Sequence, residues 1–116
     1  MESILSSSVG LTPDLLRGHT DTIVLHILIR GDAYGFEIYN RILDRTSGQY
    51  EPKETTLYSS YKRLEADGSI VSYWGDETQG ARRKYYRITD KGRGVFEQGL
   101  RDWKFTQKII NDLLEE

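Results

Sequence analysis

Residues Thr55 to Thr89 read TTLYSSYKRLEADGSIVSYWGDETQGARRKYYRIT. Leu57, Tyr61 and Leu64 stand at i, i+4 and i+7, which is one face of a helix, and Gly68 is placed to stop it as the C′ residue. Ile70 to Trp74 is β-branched and aromatic, the composition of a strand. A polar connection from Gly75 to Gly80 follows. Arg82 to Ile88 then returns, with Tyr86 and Ile88 on one face and Arg83, Tyr85 and Arg87 on the other. A helix leading straight into a basic hairpin is the working end of a winged helix-turn-helix. That pattern puts DNA first among the partners to consider.

The flanking sequence completes this pattern. Thr12-Pro13 reads as an N-cap and a first helical residue, opening a largely buried helix over Leu15–Ile29 that ends at Gly31. Tyr34, Ile38 and Ile42, four apart, predict a second helix from Tyr34 to Arg45, stopped by Thr46-Ser47-Gly48. Tyr50-Glu51-Pro52 is extended, because a residue before proline avoids the α region. The third helix spans Lys53 to Asp67 and pairs with the second as the helix-turn-helix; the hairpin is the wing. Thr89 is the natural N-cap of a last helix, with Asp90 in its first turn. Along that helix Phe96, Gly99, Trp103, Thr106, Ile110 and Leu113 follow a 3-4-3-4-3 spacing, a heptad-like seam. The expected fold is mostly α with a small β-hairpin: a winged helix-turn-helix over residues 12–88 and a dimerisation helix over 89–116. Residues 1–11 carry no period that assigns them a role.

Composition narrows the function. There is no cysteine, so disulfides and thiol nucleophiles are excluded. No apolar run approaches the ~20 residues that span a bilayer, and MESILSSSVG has an acid where an export signal carries cations; a cytoplasmic location without membrane attachment is expected. The formal net charge is −2, yet the charge is polarised. Arg82, Arg83, Lys84, Arg87, Lys91 and Arg93 face a single acid, Asp90, within twelve residues, whereas the last twenty residues are acidic on balance. A local basic patch holds a polyanion even on a slightly acidic chain.

An enzyme is not expected, since the chain offers no Gly-rich phosphate loop and only two histidines, His19 and His26. These are seven apart on one helix face and lack a third ligand, so neither metal nor cofactor is expected. Arg30-Gly31-Asp32 spells an adhesion tripeptide but reads as a helix stop and a turn residue. The alternative to a DNA-binding regulator is a winged-helix module that docks on protein without specific DNA binding.

On the third helix, Thr55, Ser59, Lys62 and Ala66 lie opposite the buried stripe, with Tyr58 and Arg63 at the borders. Small hydroxyls, a tyrosine and two cations suit insertion into a major groove, which admits one helix. Arg82-Arg83-Lys84 stand at the hairpin tip, where cations meet the sugar-phosphate backbone. Tyr73 and Trp74 are expected to pack against Tyr85 or Tyr86 across the hairpin, in preference to stacking on bases.

The seam of the last helix is too large for so small a domain to bury, which predicts an isologous homodimer. Trp103 lies between the small residues Gly99 and Thr106. Two symmetry-related indoles there would either close-pack or leave a flat gap for a planar aromatic molecule. Phe96 and Trp103 are the candidate ligand contacts.

These residues together resemble the PadR family of bacterial transcription regulators. The resemblance rests on Leu16-Arg17-Gly18, Tyr34-Gly35-Phe36-Glu37-Ile38, Thr56-Leu57-Tyr58, Arg63-Leu64-Glu65-Ala66-Asp67-Gly68 and Gly80-Ala81-Arg82-Arg83-Lys84-Tyr85-Tyr86-Arg87-Ile88-Thr89. The single C-terminal helix is similar to the family's small subgroup. The resemblance implies a homodimer held by its last and first helices, Leu16 included, on a roughly palindromic double-stranded operator. It implies repression, relieved in some members by an aromatic or lipophilic compound. It further implies DNA contacts from Thr56, Tyr58, Lys62, Gly80, Arg82, Arg83 and Lys84, and places Trp103 at the dimer interface.

Overall fold

Alternation along one strand organises the domain. In β3 (Lys84–Ile88), Tyr86 and Ile88 are buried while Lys84 and Arg87 are exposed. The structure is a computed structural model that describes residues 16–76 and 82–115. The described elements are α1 (Thr20–Ile29), β1 (Ala33–Tyr34), α2 (Gly35–Arg45), α3 (Glu54–Ala66), β2 (Ile70–Trp74), β3 and α4 (Asp90–Leu114). The strands form one antiparallel sheet in the order β1-β3-β2, with Ala33 opposite Tyr86, Tyr34 opposite Tyr85 and Trp74 opposite Lys84.

The core lies between the inner face of this sheet and the helices. Val24, Leu25 and Leu28 of α1, Ile38 and Ile42 of α2, and Leu57, Tyr61 and Leu64 of α3 meet Ile70, Tyr86 and Ile88. The Tyr61 and Tyr86 rings stand 4.7 Å apart. Burial drives both hydroxyls to higher pKa, as expected where the charged form is desolvated. The i, i+4, i+7 stripe of α3 is therefore the surface that docks this helix on the core. α3 ends as expected, with Gly68 at φ +81.

Two expectations change. The helix expected over Leu15–Ile29 is broken: Leu16 is helical, the chain turns over residues 17–19 where Gly18 adopts φ +90 and the His19 amide donates to Leu16 O, and α1 runs from Thr20; Leu15 lies outside the described residues. The Thr12-Pro13 cap lies outside the described residues. The hairpin gains a third strand, β1, whose two residues are too few to show a period. Tyr34 ends β1 and caps α2, and its amide donates to Glu37 Oε1 at 3.3 Å. Among the described residues no helix is long and apolar enough to cross a membrane.

Thr89 joins the wing to α4. Its hydroxyl oxygen accepts from the Gly92 amide at 3.1 Å and its O–H donates to Gly68 O at 2.6 Å, so one side chain caps α4 and ties it to the end of α3. Lys91 Nζ donates to Asp67 O beside it. The junction closes so tightly that a Cβ at Gly92 would stand 2.1 Å from Ser69 O, whereas one at Gly94 would meet nothing within 4 Å. Gly92→Ala is therefore expected to destabilise the fold by about 1–3 kcal/mol in urea melts through overpacking against backbone. Gly94→Ala, in the same helix but in open space, is expected to stabilise it by about 0.5–1 kcal/mol. Equal effects of the two substitutions would contradict this account of the junction.

Candidate nucleic-acid interface

α3 presents Thr55, Tyr58, Ser59, Lys62 and Arg63 to solvent, with Thr56 half-buried beside them. Lys62 Nζ stands 5.5 Å from the centre of the Tyr58 ring. Arg63 has a different engagement. Its Nη2 donates to Asp21 Oδ1 at 2.8 Å and its Nε to Asp21 Oδ2 at 3.2 Å, and Ser60 Oγ donates to the same Oδ1 at 2.6 Å. Asp21 belongs to α1, so this carboxylate clamps α3 from its neighbour. Arg17, Thr20, Asp21, Thr55, Ser59 and Arg63 line a polar groove of about 530 Å³ between the two helices.

Phe36 was not anticipated. It opens α2 at 60% exposure, stacked 5.9 Å from Tyr39, and forms with Tyr58 and Leu57 an apolar cleft of about 570 Å³ on the face that α3 exposes. An apolar residue standing off the Tyr34, Ile38, Ile42 row was the signal in the sequence.

Strand parity divides the wing cations. Trp74 pairs with Lys84, and the Arg82 guanidinium lies 5.5 Å over the Trp74 ring on that face. Lys84 Nζ stands 5.9 Å from Tyr86, whose ring meets Tyr61 of α3, so Arg82 and Lys84 share the side of the sheet that carries α3. Arg83 lies on the opposite side, 4.8 Å over Tyr34. Gly80 lies outside the described residues. Tyr73 stacks on Tyr85 at 5.6 Å, as expected. Trp74 does not pack on a tyrosine. It is 57% exposed, because its parity carries it past the end of the core, opposite a lysine.

The outer face continues from Tyr85 and Tyr73 to Arg87, 5.0 Å over the Tyr73 ring. Asp32 closes this row, accepting from the Tyr73 hydroxyl and from Arg87, with Arg87 Nη2 at 3.0 Å from Oδ2. The aspartate of the adhesion-like tripeptide is thus occupied within the chain. The Tyr73 hydrogen bond, with Arg87, holds its carboxyl below the usual carboxylate range.

The six residues expected at a dimer interface fall in two groups. Leu16 and Phe96 pack against the core, Phe96 facing His26 at 5.5 Å between ring centres. Burial, then Arg45 and Arg30, lowers the His26 pKa. Gly99 faces Thr22 of α1, so close that a Cβ would come within 2.2 Å of its hydroxyl oxygen. Its smallness serves the α1–α4 contact inside one chain. Trp103 meets His19 edge-on at 5.2 Å and remains 42% exposed. From Arg101 to Glu115 every residue is exposed, Ile110 and Leu113 included. Among the described residues no cluster of His, Cys, Asp and Glu could hold a metal ion.

Residues 24–98 match the family model described as the transcriptional regulator PadR-like family. The chain belongs to the PadR family. It is 39% identical over 102 residues to an uncharacterised protein of Lysinibacillus sphaericus, across 88% of this chain and 94% of that one. A solved transcriptional regulator from Clostridium thermocellum is 47% identical, with a TM-score of 0.83 over 90% of this chain and 99% of that one. Bacillus subtilis PadR, solved in complex with operator DNA, shares the fold at 21% identity and a TM-score of 0.62, over 69% of this chain and 45% of that one. This PadR protein is accordingly a transcriptional regulator and not an enzyme.

The Asp32 link at the base of the PadR wing makes stability depend on pH. Its folded pKa is lowered, so its contribution is complete above the unfolded value of about 4 and disappears as the pH falls through the folded value. The difference in unfolding free energy between the wild type and Asp32→Asn is expected to hold steady from about pH 7 to 5 and to shrink toward pH 3. A difference that does not change with pH would refute this role.

Proposed function

We propose that this PadR protein is a homodimeric, sequence-specific DNA-binding repressor whose α3 enters the major groove while its wing lies on the adjoining backbone. One observation carries the reading: Arg82 and Lys84 lie on the side of the sheet that carries α3, whose outer row is exposed. Thr55, Thr56, Tyr58, Ser59 and Lys62 are the contacts assigned to α3. Arg63 is left out of that set because its guanidinium is already paired. Arg82 and Lys84 are assigned to the backbone, as is Gly80, which lies outside the described residues; Arg83, stacked on Tyr34, contributes less. That the Bacillus subtilis protein, which shares this fold, was solved in complex with operator DNA supports DNA as the partner.

Residues 12–88 are assigned to DNA binding and 89–116 to assembly. A helix draws most of its stability from packing, yet the second half of α4 exposes Trp103, Phe105, Ile109, Ile110, Leu113 and Leu114. A second copy related by a two-fold axis covers this stripe and pairs the two recognition helices with a roughly palindromic operator. Trp103, partly covered by His19, meets that axis, where a flat aromatic compound contacting Trp103 and Phe96 would shift the spacing of the recognition helices and relieve repression. A cytoplasmic location follows from acting on DNA.

Titrating duplex DNA at increasing salt tests the wing. Arg82→Ala and Lys84→Ala are each expected to flatten the log–log salt dependence by ~0.9 for every phosphate that goes unneutralised, and Arg83→Ala to do so less. A slope that none of the three moves would exclude the assigned docking. Light scattering tests the assembly: the intact chain is expected to be a dimer at micromolar concentration, and a chain ending at Gly99 a poorly soluble monomer. A folded, monodisperse monomer from either would refute the dimer.

A further inference from the structure

We propose that Asp21 sets the specificity of DNA binding by keeping Arg63 off the phosphates. The inference rests on the DNA-binding reading above and adds to it a residue that touches no DNA atom. Arg63 projects from the exposed side of α3, next to Ser59 and Lys62, at a side-chain exposure of 57%. A free guanidinium there would attract any duplex, whatever its sequence. The pairing with Asp21 removes that charge. It is two-pronged, Nη2 to Oδ1 at 2.8 Å and Nε to Oδ2 at 3.2 Å, the planar fork-to-carboxylate geometry that arginine favours.

The carboxylate is anchored independently of Arg63. Ser60 Oγ, on a residue with no solvent exposure, donates to Oδ1 at 2.6 Å. Asp21 is therefore held in place by the buried side of α3 while neutralising a cation on its exposed side. It also lines the groove that holds Thr55, Thr56 and Ser59, the hydroxyls assigned to base edges. A neutral pair releases few counterions on meeting DNA, so it adds little to sequence-independent affinity. The hydroxyl contacts, which need a matching base, keep their full effect. The result is a larger ratio of specific to non-specific binding, the quantity that matters where competing sites are abundant.

The test uses the intact protein and a random-sequence duplex, followed by fluorescence anisotropy from 50 to 200 mM KCl. Asp21→Asn keeps the size of the side chain and an acceptor for Ser60 but releases the Arg63 charge. It is expected to steepen the log–log slope by ~0.9 per protomer, so that a dimer gains roughly tenfold in affinity for random DNA at 50 mM relative to 200 mM salt. Arg63→Met, which leaves the Asp21–Ser60 bond in place, is expected to leave the slope where it was. The double variant is expected to return to the wild-type slope. A shallower slope in Arg63→Met would overturn the inference, because Arg63 would then be a phosphate contact already. So would an unchanged slope in Asp21→Asn. In either case the wing variants would still report on DNA binding itself. A wild type that bound no duplex at 50 mM would remove the DNA-binding reading and this inference together.

Discussion

The two-residue period of β3 is the constraint on which the molecule depends. The strand lies in the middle of the sheet, and its inward residues, Tyr86 and Ile88, complete the core beneath α3. A slip of one residue would exchange them for Tyr85 and Arg87, driving a cation into the packing of Tyr61 and Leu64. Register is therefore specified by burial, and the placement of the wing cations follows from it. Arg82 and Lys84 must share the side of Tyr86, and Arg83 must take the other. A run of three cations in sequence is divided between two faces in space.

α1 distributes this order to the other helices. Its buried residues Val24, Leu25 and Leu28 enter the core, while Asp21 reaches Ser60 and Arg63 of α3 and Thr22 receives Gly99 of α4. Adjacent residues on one helix thus contact both the element assigned to DNA and the element assigned to assembly. The contact with α4 spans only its first half. Beyond Trp103 the same apolar stripe continues with no partner inside the described chain, and one helix serves two packing tasks along its length.

Most of the fold was legible in the sequence because its signals were local and periodic. The α3 stripe, the Gly68 stop, the β2 boundaries and the Thr89 cap each depend on residues a few positions apart. What was not legible depends on distant partners or on elements too short to have a period. β1 is two residues long and exists only because β3 offers an edge. The turn between Leu16 and Thr20 is made by the backbone of Gly18, which an apolar pattern does not report. In the candidate site, the exposed row of α3 could be read from a helical wheel, but the fate of Arg63 could not, because its partner lies 42 residues away. Trp74 departs from expectation for a related reason: alternation gives its face correctly, yet only the extent of the core decides whether that face is covered.

The junction at Thr89 has a mechanical consequence. A single residue separates β3 from α4, and it is fastened to the last turn of α3 through Gly68 and Ser69. No slack loop intervenes, so α4 acts as a lever whose fulcrum is the C-terminal end of α3 and which is braced against α1 at Gly99. Its 25 residues extend for roughly 37 Å at 1.5 Å per residue, so a tilt of about 5° at the fulcrum displaces the far end by roughly 3 Å. Movement applied to the exposed end of α4 is delivered to the base of α3 without a flexible element to absorb it.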